Sequence, residues 1–582
     1  MPTLDWIGKK AVVNHHLRVP YRLLKDVPAL SCGDPGTGNL IVQGDNLLAL
    51  KALLPFYGGQ VKCIYIDPPY NTGNEGWVYN DNVKSPVIQK WLGEVVGKEG
   101  ETLDRHDRWL CMMYPRLELL KMMLRDDGVI MISIGKDEIA YLKNICDSIY
   151  GVTNLIEVLI WNTHGHTENQ EDITGVHEYI LVYARNKIHA KINNVVAPSV
   201  PADSKIRRDF AENSITKNGA KNPPTIIELP VGFPCEVDNL ELPPFPRWDD
   251  FKAAIDEVGY ITRELTGRYK ATYPVRLDEM KVDSGRLTAP CRVFTGWMSA
   301  DKLKKYINNN CQTLEDKDGS NLFFYLSKNG VVYYKREDRQ LHYVESVLTN
   351  LGTTEKNKYM LEGMGIEFAY PKPVELIAYI ISLYSNPGDI IIDSFAGSGT
   401  TGHAVLMLNK ANPEATPLRF IMIEMESAIA QHTTAERIKR MAQGYTTNKG
   451  DVISALGGGF RYCELGGELF NEYGQIHDEV TFGELARHVW FTEFLEPLPR
   501  ERVPNSPFLG ECNGVGLYLL YNGILGDKSS NGGNILTRAI LERLPQYDGP
   551  KIIFCAGNLL GPDRLRAASI TIRQTPYEIK VS

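Results

Sequence analysis

The sequence predicts an α/β fold, a sheet of mainly parallel strands flanked by helices and assembled from two segments far apart in the chain. Two observations predict it. Short apolar runs such as "VKCIYI" (Val61 to Ile66) and "VIMISI" (Val129 to Ile134) alternate with longer runs of helical spacing. The same alternation returns late in the chain, in "PKPVELIAYIISLYSNPGDIIIDSFAGSGTTGHAVLMLNK".

In order, Val61 to Ile66 reads as a buried strand running into the proline- and glycine-rich "DPPYNTGN". A helical pattern from Trp109 is expected to stop at Asp126, Asp127 and Gly128, and Val129 to Ile134 resumes as a strand. "KDEIAYLKNICDSIYG" is helical again. In the late segment Leu376, Ile377, Ile380 and Ile381 form the apolar stripe of a helix that Pro387 and Gly388 end. Ile390 to Ile392 then form a strand, a glycine-rich turn opens another helix, and "RFIMIEMES" is a strand ending at Glu424. Crossover helices let strands distant in sequence pair in one sheet.

With 582 residues, 43% of them hydrophobic, the chain can bury a substantial core and divides into two or three domains. The expected divisions are 1–186 and 368–450 as the two parts of the α/β domain, 187–367 as a polar, proline-rich insertion, and 451–582 as a C-terminal domain. The insertion interleaves basic and aromatic residues in "SKIRRDF", "TRELTGRYKATYPVR" and "VVYYKREDR". Each run reads either as a solvated face or as part of a nucleic-acid contact surface. A net charge of −8 excludes a uniformly basic coating protein but not a local basic groove. The ten cysteines form no CxxC pair, which favours a reducing, cytoplasmic setting, and no apolar run has membrane-spanning length.

Two motifs carry chemistry. "DSFAGSGTTG" (Asp393 to Gly402) is a tight strand-to-helix turn whose small residues allow a cofactor close to the backbone. It lacks the lysine of a phosphate-cradling loop, so a nucleoside triphosphate is disfavoured. At Asp67 to Tyr70, the Asp67 carboxylate and the Pro68 carbonyl can accept hydrogens from an exocyclic amine, Pro69 stiffens the turn, and Tyr70 can stack on a planar base.

The pair DPPY and FAGSG, with Lys372 and Pro373 before the latter, resembles the amino-group DNA methyltransferases, and DPPY particularly the adenine-N6 enzymes. Asp393 follows Tyr70 by 323 positions, the order of the beta class, in which the intervening region holds the target-recognition domain. "HHLRVPYRLL", "IVQGDNLLAL", "HEYILVYAR" and "ITIRQTPYEIK" extend the resemblance to the modification subunit of type III restriction-modification systems. The resemblance implies a Rossmann-like domain using S-adenosylmethionine, with an inserted target-recognition domain and a smaller C-terminal α/β domain. It implies cofactor binding by Asp393, Phe395, Ala396, Gly397, Ser398 and Gly399, by Lys372 and Pro373, and by Glu424 toward ribose hydroxyls. Asp45 and Asn46 of "QGDNL" are expected near the same pocket, and Asp45 also reads as a helix cap. Base flipping of adenine in double-stranded DNA would present N6 to Asp67 and Pro68 and its ring to Tyr70 for direct methyl transfer.

Partners implied by the resemblance are a homodimer and a separate ATP-dependent restriction (Res) subunit. Cytosine-N4 methylation and a DNA-recognition subunit without its own activity are the alternatives. His15, His16, His164, His166, and His177 with Glu178 form no recognised metal set and read as ordinary helix, loop or core residues. "GHTENQED" reads as a pocket-covering loop, and Trp161 as either core or backing for the base.

Overall fold

The computed structural model describes residues 4–72, 105–163, 175–201, 203–208, 210–316, 319–337, 343–499, 503, 505–526 and 533–575. His164, His166, the "GHTENQED" loop and the end of "ITIRQTPYEIK" lie outside these residues. The chain divides into two compact units, Met1–Asn193 with Glu345–Ser582, and Asn194–Val344. The inserted unit is thus shorter at both ends than the expected 187–367: residues 187–193 and 345–367 belong to the other unit, and Val347–Leu348 pairs in its large sheet.

That sheet has ten strands. In chain order they are β1 (Arg22–Asp26), β2 (Leu40–Gln43), β3 (Val61–Ile66), β4 (Leu124–Ile134), β5 (Leu155–Asn162), β6 (His177–Ala184), β7 (Val347–Leu348), β8 (Ile390–Asp393), β9 (Arg419–Glu424) and β10 (Arg461–Glu468). Across the sheet the order is β1-β10-β2-β9-β8-β3-β4-β6-β5-β7. From β10 to β4 all neighbours are parallel, whereas β6 runs antiparallel to both β4 and β5. Every residue of β3 and β8 is buried, as expected for parallel strands covered on both faces.

Helices α1 (Asn46–Tyr57) and α2 (Arg105–Met123) pack on each other and on the face carrying Ile64, Ile66, Ile421 and Ile423. Helices α3 (Val374–Ser382) and α4 (Thr400–Ala411) pack together, and α4 meets the opposite face, where a Cβ at Gly402 would lie 2.7 Å from Met422 Cε. From β8 the chain proceeds through α4 to β9 on one side, and from β3 it proceeds toward β4 on the other. A doubly wound sheet opens a crevice at such a reversal, so the β3/β8 boundary is where a ligand site is expected.

Two expectations need correction. Asp126, Asp127 and Gly128 do not end a helix: α2 stops at Met123, and those residues lie within β4. Lys62 Nζ, 2.8 Å from Asp127 Oδ2, and Arg125 Nε, 2.5 Å from Asp127 Oδ1, neutralise the acid there, and a register shift absorbs the irregularity. Residues 451–582 are not a separate compact unit. β10 inserts between β1 and β2, and Tyr21 and Leu23 share a core with Leu485 and Trp490. A smaller four-stranded sheet does form there, from Phe508–Cys512, Val515–Leu519, Lys551–Cys555 and Ile570–Gln574.

The inserted unit is better packed than its polar composition suggests. One core gathers Phe233, Trp297, Tyr306 and Phe324, and another gathers Phe251, Leu265, Tyr269 and Val275. Part of "TRELTGRYKATYPVR" therefore faces a core, whereas Lys335 of "VVYYKREDR" lies over the rings of Phe210 and Phe323.

Candidate active site

β3 delivers Asp67 to the crevice and the two prolines turn the chain away. Trp109 of α2 donates its indole N–H to the Pro69 carbonyl at 2.7 Å, which pins the turn. Asn71 follows with φ 55°, a left-handed conformation that asparagine tolerates. Its side-chain amide donates to Glu138 Oε1 at 2.5 Å and to the Arg105 carbonyl at 3.0 Å, and His106 Nδ1 lies 2.6 Å from the same Glu138 oxygen. Gly135 lets the Tyr70 ring approach β4, since a Cβ there would stand 3.0 Å from Tyr70 Cδ2.

Four side chains from three segments meet at this turn. Lys372 Nζ lies 2.8 Å from Asp67 Oδ2, 3.3 Å from Glu178 Oε2 and 4.8 Å from the centre of the Tyr70 ring. The Tyr70 hydroxyl donates to Glu178 Oε2 at 2.8 Å. Burial pulls the Lys372 ammonium toward neutrality, but Asp67 and Glu178 overcome it and hold its pKa above the ordinary value. Burial, then Asp67 and Glu178, push the Tyr70 phenol well above its ordinary range. Asp67 Oδ1 is buried and has no partner among the described residues. An orphaned carboxylate oxygen is costly, and it presents an acceptor that an incoming amine can satisfy.

Glu178 carries weight here that its sequence setting does not show. As the second residue of β6 it would be ordinary, but β6 is antiparallel to β4, with Ile134 opposite Tyr179. Its first residues therefore stand at the carboxyl edge of the parallel strands. Trp161 pairs with Glu178 across β5 and is buried, so it backs this corner of the sheet.

The glycine-rich turn is built on the next strand. Asp393 is buried; Thr401 Oγ1 donates to its Oδ2 at 2.5 Å and the Phe395 amide to its Oδ1 at 3.0 Å. Burial raises its pKa to about 7; those two hydrogen bonds oppose the shift, and Asp67 and Glu424 add to it. Glu424, ending β9, accepts the Gly397 amide on Oε2 and the Glu426 amide on Oε1, both at 2.9 Å. Gly399 has φ 76° and packs on Thr434, whose hydroxyl donates to the Gly397 carbonyl at 2.7 Å.

Beneath the turn, fully buried Arg437 donates from one nitrogen to the Ser398 carbonyl, Ser398 Oγ and Thr400 Oγ1 at 3.1, 3.0 and 2.9 Å. Burial lowers its pKa to about 9. Neither Arg437 nor Thr434 was foreseen, because nothing in a helical sequence marks one arginine as turned inward.

Asp45 caps α1, accepting the Leu47 and Leu48 amides at 2.9 and 3.1 Å, and pairs with Arg116 at 3.1 Å. Arg116 also bonds Asn46, whose amide donates to the Ser394 carbonyl at 3.1 Å. These two residues brace the turn from behind. Pro373 caps α3, while the preceding Lys372 carbonyl accepts from Thr400 Oγ1 at 3.3 Å. Of the two readings of Asp45, the cap is thus present.

A cleft joins the two halves, lined by Asp67, Lys372, Asp393, the residues from Phe395 to Ser398, and by Phe368 and Tyr370. One wall is backbone and small side chains, and the other carries an orphaned carboxylate oxygen. This donor set fits a cofactor that combines a polar, hydroxyl-bearing portion with a cationic centre. Among the described residues no cluster of three or more histidine, cysteine, aspartate or glutamate side chains could hold a metal.

Residues 61–436 match the family described as DNA methylase, the N6/N4 methyltransferases. The chain is 27% identical over 475 residues to the type III restriction-modification enzyme EcoP15I Mod subunit of Escherichia coli, covering 76% of this chain and 67% of that protein. It is 28% identical over 465 residues to the EcoPI Mod subunit of Escherichia phage P1, covering 73% and 64%. Type II methyltransferase M.KpnI of Klebsiella pneumoniae is 28% identical over 386 residues, covering 64% of this chain and 78% of that one. The chain spans about two thirds of the length of the two Mod subunits. With more than half of its length matched, and with the motif-bearing strands β3 and β8 side by side, the chain belongs to the N6/N4 DNA methylase family.

Proposed function

We propose that this protein transfers a methyl group from S-adenosylmethionine to adenine N6 in double-stranded DNA, as a Mod-like component of a type III restriction-modification system. The observation that carries this reading is the buried Asp67 Oδ1, without a partner among the described residues, in the same turn as the Pro68 carbonyl and the Tyr70 ring. Two fixed acceptors and an aromatic plane suit the amine and ring of an extruded base.

S-adenosylmethionine supplies an activated methyl group on a sulfonium. Asp393, the Phe395–Gly399 turn and Glu424 would hold it, with Asn46 and Arg437 bracing that turn. Asp67 and Pro68 orient the target amine, Tyr70 restrains the ring, and Lys372 fixes the Asp67 carboxylate through its other oxygen. Closure of base and cofactor into one cleft supplies the alignment on which transfer depends.

Adenine is favoured over cytosine by Asp67 at the head of DPPY and by the Mod subunits among the relatives. The unit Asn194–Val344 would read the target sequence. A homodimer and an ATP-dependent restriction subunit are the protein partners we propose. Among the described residues no helix is long and apolar enough to cross a membrane.

Methyl transfer by the purified protein to DNA of varied sequence, followed by nucleoside analysis, tests the reading. N6-methyladenine is expected. N4-methylcytosine would overturn the adenine assignment, and cofactor binding without transfer would favour a recognition subunit.

A further inference from the structure

Glu178 is absent from both motifs, yet it is the second carboxylate on Lys372, the lysine that pairs with Asp67. We infer that Glu178 is a positioning residue for methyl transfer, holding the Lys372 ammonium and the Tyr70 hydroxyl so that Asp67 keeps one carboxylate oxygen open for the target amine. The inference rests on the DNA-amine reading above and extends it to a residue outside the motifs.

The geometry is a closed ring of contacts. Glu178 Oε2 accepts from Tyr70 at 2.8 Å and lies 3.3 Å from Lys372 Nζ, and Lys372 Nζ lies 2.8 Å from Asp67 Oδ2. An ammonium has three hydrogens to place and no acceptor capacity, so its second carboxylate decides how it approaches the first. With Glu178 present, Lys372 is drawn to one edge of Asp67, and Oδ1 has no partner among the described residues. Without the Glu178 charge, Asp67 is the one carboxylate left among the described residues in contact with a buried ammonium. The ammonium then settles across both Asp67 oxygens and takes the acceptor meant for the base.

The same carboxylate keeps Lys372 protonated. Burial works against the charge, and the two acids together more than offset it. A neutral Lys372 would leave the Asp67 carboxylate free to rotate. The Tyr70 contact adds a second restraint, since a tethered hydroxyl fixes the ring plane against which the base would lie. His177 next to it is directed elsewhere, 3.0 Å from the Tyr179 hydroxyl.

The test compares Glu178→Gln and Glu178→Asp with the parent chain in single-turnover methylation of DNA at saturating cofactor. Glu178→Gln keeps the size of the side chain and an oxygen for Tyr70, so it removes the charge alone. It should slow transfer at least tenfold while the dissociation constant for S-adenosylmethionine changes less than about threefold, and Glu178→Asp should recover part of the rate. Acetylation of Lys372 by limiting acetic anhydride at pH 8, read by mass spectrometry without DNA, should be several-fold faster in Glu178→Gln. Unchanged transfer, or equal loss of transfer and cofactor affinity, in a protein whose parent is active would overturn the positioning role alone. A parent chain that methylates no DNA would overturn the functional reading and this role with it.

Discussion

Replacing Asp393 with asparagine should remove a pH dependence of folding stability that the parent protein carries between about pH 4 and pH 7. The folded carboxyl titrates near 7 against an ordinary value of 3.8, chiefly because it is buried. Below pH 4 the group is protonated in both folded and unfolded chains, and its contribution is complete. As pH rises, the unfolded chain releases the proton first while the folded chain keeps it, so stability falls until the folded group also ionises near pH 7. Each unit of displacement is worth about 1.4 kcal/mol, which makes the whole loss about 4 kcal/mol and the part between pH 5 and pH 7 about 2–3 kcal/mol. Asparagine preserves the shape: its carbonyl can accept the Phe395 amide, and its amide can donate to Thr401 Oγ1. Urea unfolding followed by circular dichroism at pH 5, 6, 7 and 8 gives the comparison. The variant should gain on the parent by about 2–3 kcal/mol over that range. A constant difference at every pH would refute the burial argument for Asp393.

Tyr70→Ala should reduce DNA methylation by at least tenfold while S-adenosylmethionine affinity, measured by calorimetry, stays within about threefold; equal loss of both would contradict separate base and cofactor sides. Arg437→Met removes three donated hydrogen bonds beneath the glycine-rich turn. At about 1 kcal/mol net for each, with some relaxation, cofactor affinity should fall roughly tenfold or more. Unaltered affinity would show that the turn holds its shape without the guanidinium.

The motif-bearing strands were readable because parallel strands covered on both faces appear as largely apolar runs, as "VKCIYI" and "IIID" do. DPPY and FAGSG could be paired from sequence because each follows such a run. Glu178 could not be assigned by the same means. Its place at the site comes from β6 entering the sheet in reverse, a fact about strand direction that no local spacing encodes. Arg437 was hidden for a different reason. In "AERIKRMAQG" three basic residues share a helix, and only packing against the turn turns one of them inward. Asp126, Asp127 and Gly128 look like a helix stop, but Lys62 and Arg125 make their charge tolerable inside a strand. The C-terminal boundary was misplaced because β10 contains "ELGGE", which carries little strand signal, and is recruited by β1 and β2.

The strand order also constrains how this protein can be made. β2 has as its neighbours β9 and β10, so no strand can pair with it until a ribosome has reached Arg419, 376 residues after Gln43. At about 5–20 residues per second that interval is roughly 20–75 s. Throughout it β2, and until Ile390 is made one edge of β3, are apolar, pairing-competent strands without their partners, the type of surface that aggregates or recruits chaperones. The adjacency that creates the methyl-transfer crevice therefore exposes the nascent chain for most of its synthesis. Slowing translation across the Asn194–Val344 unit should raise the fraction of chains lost to aggregation.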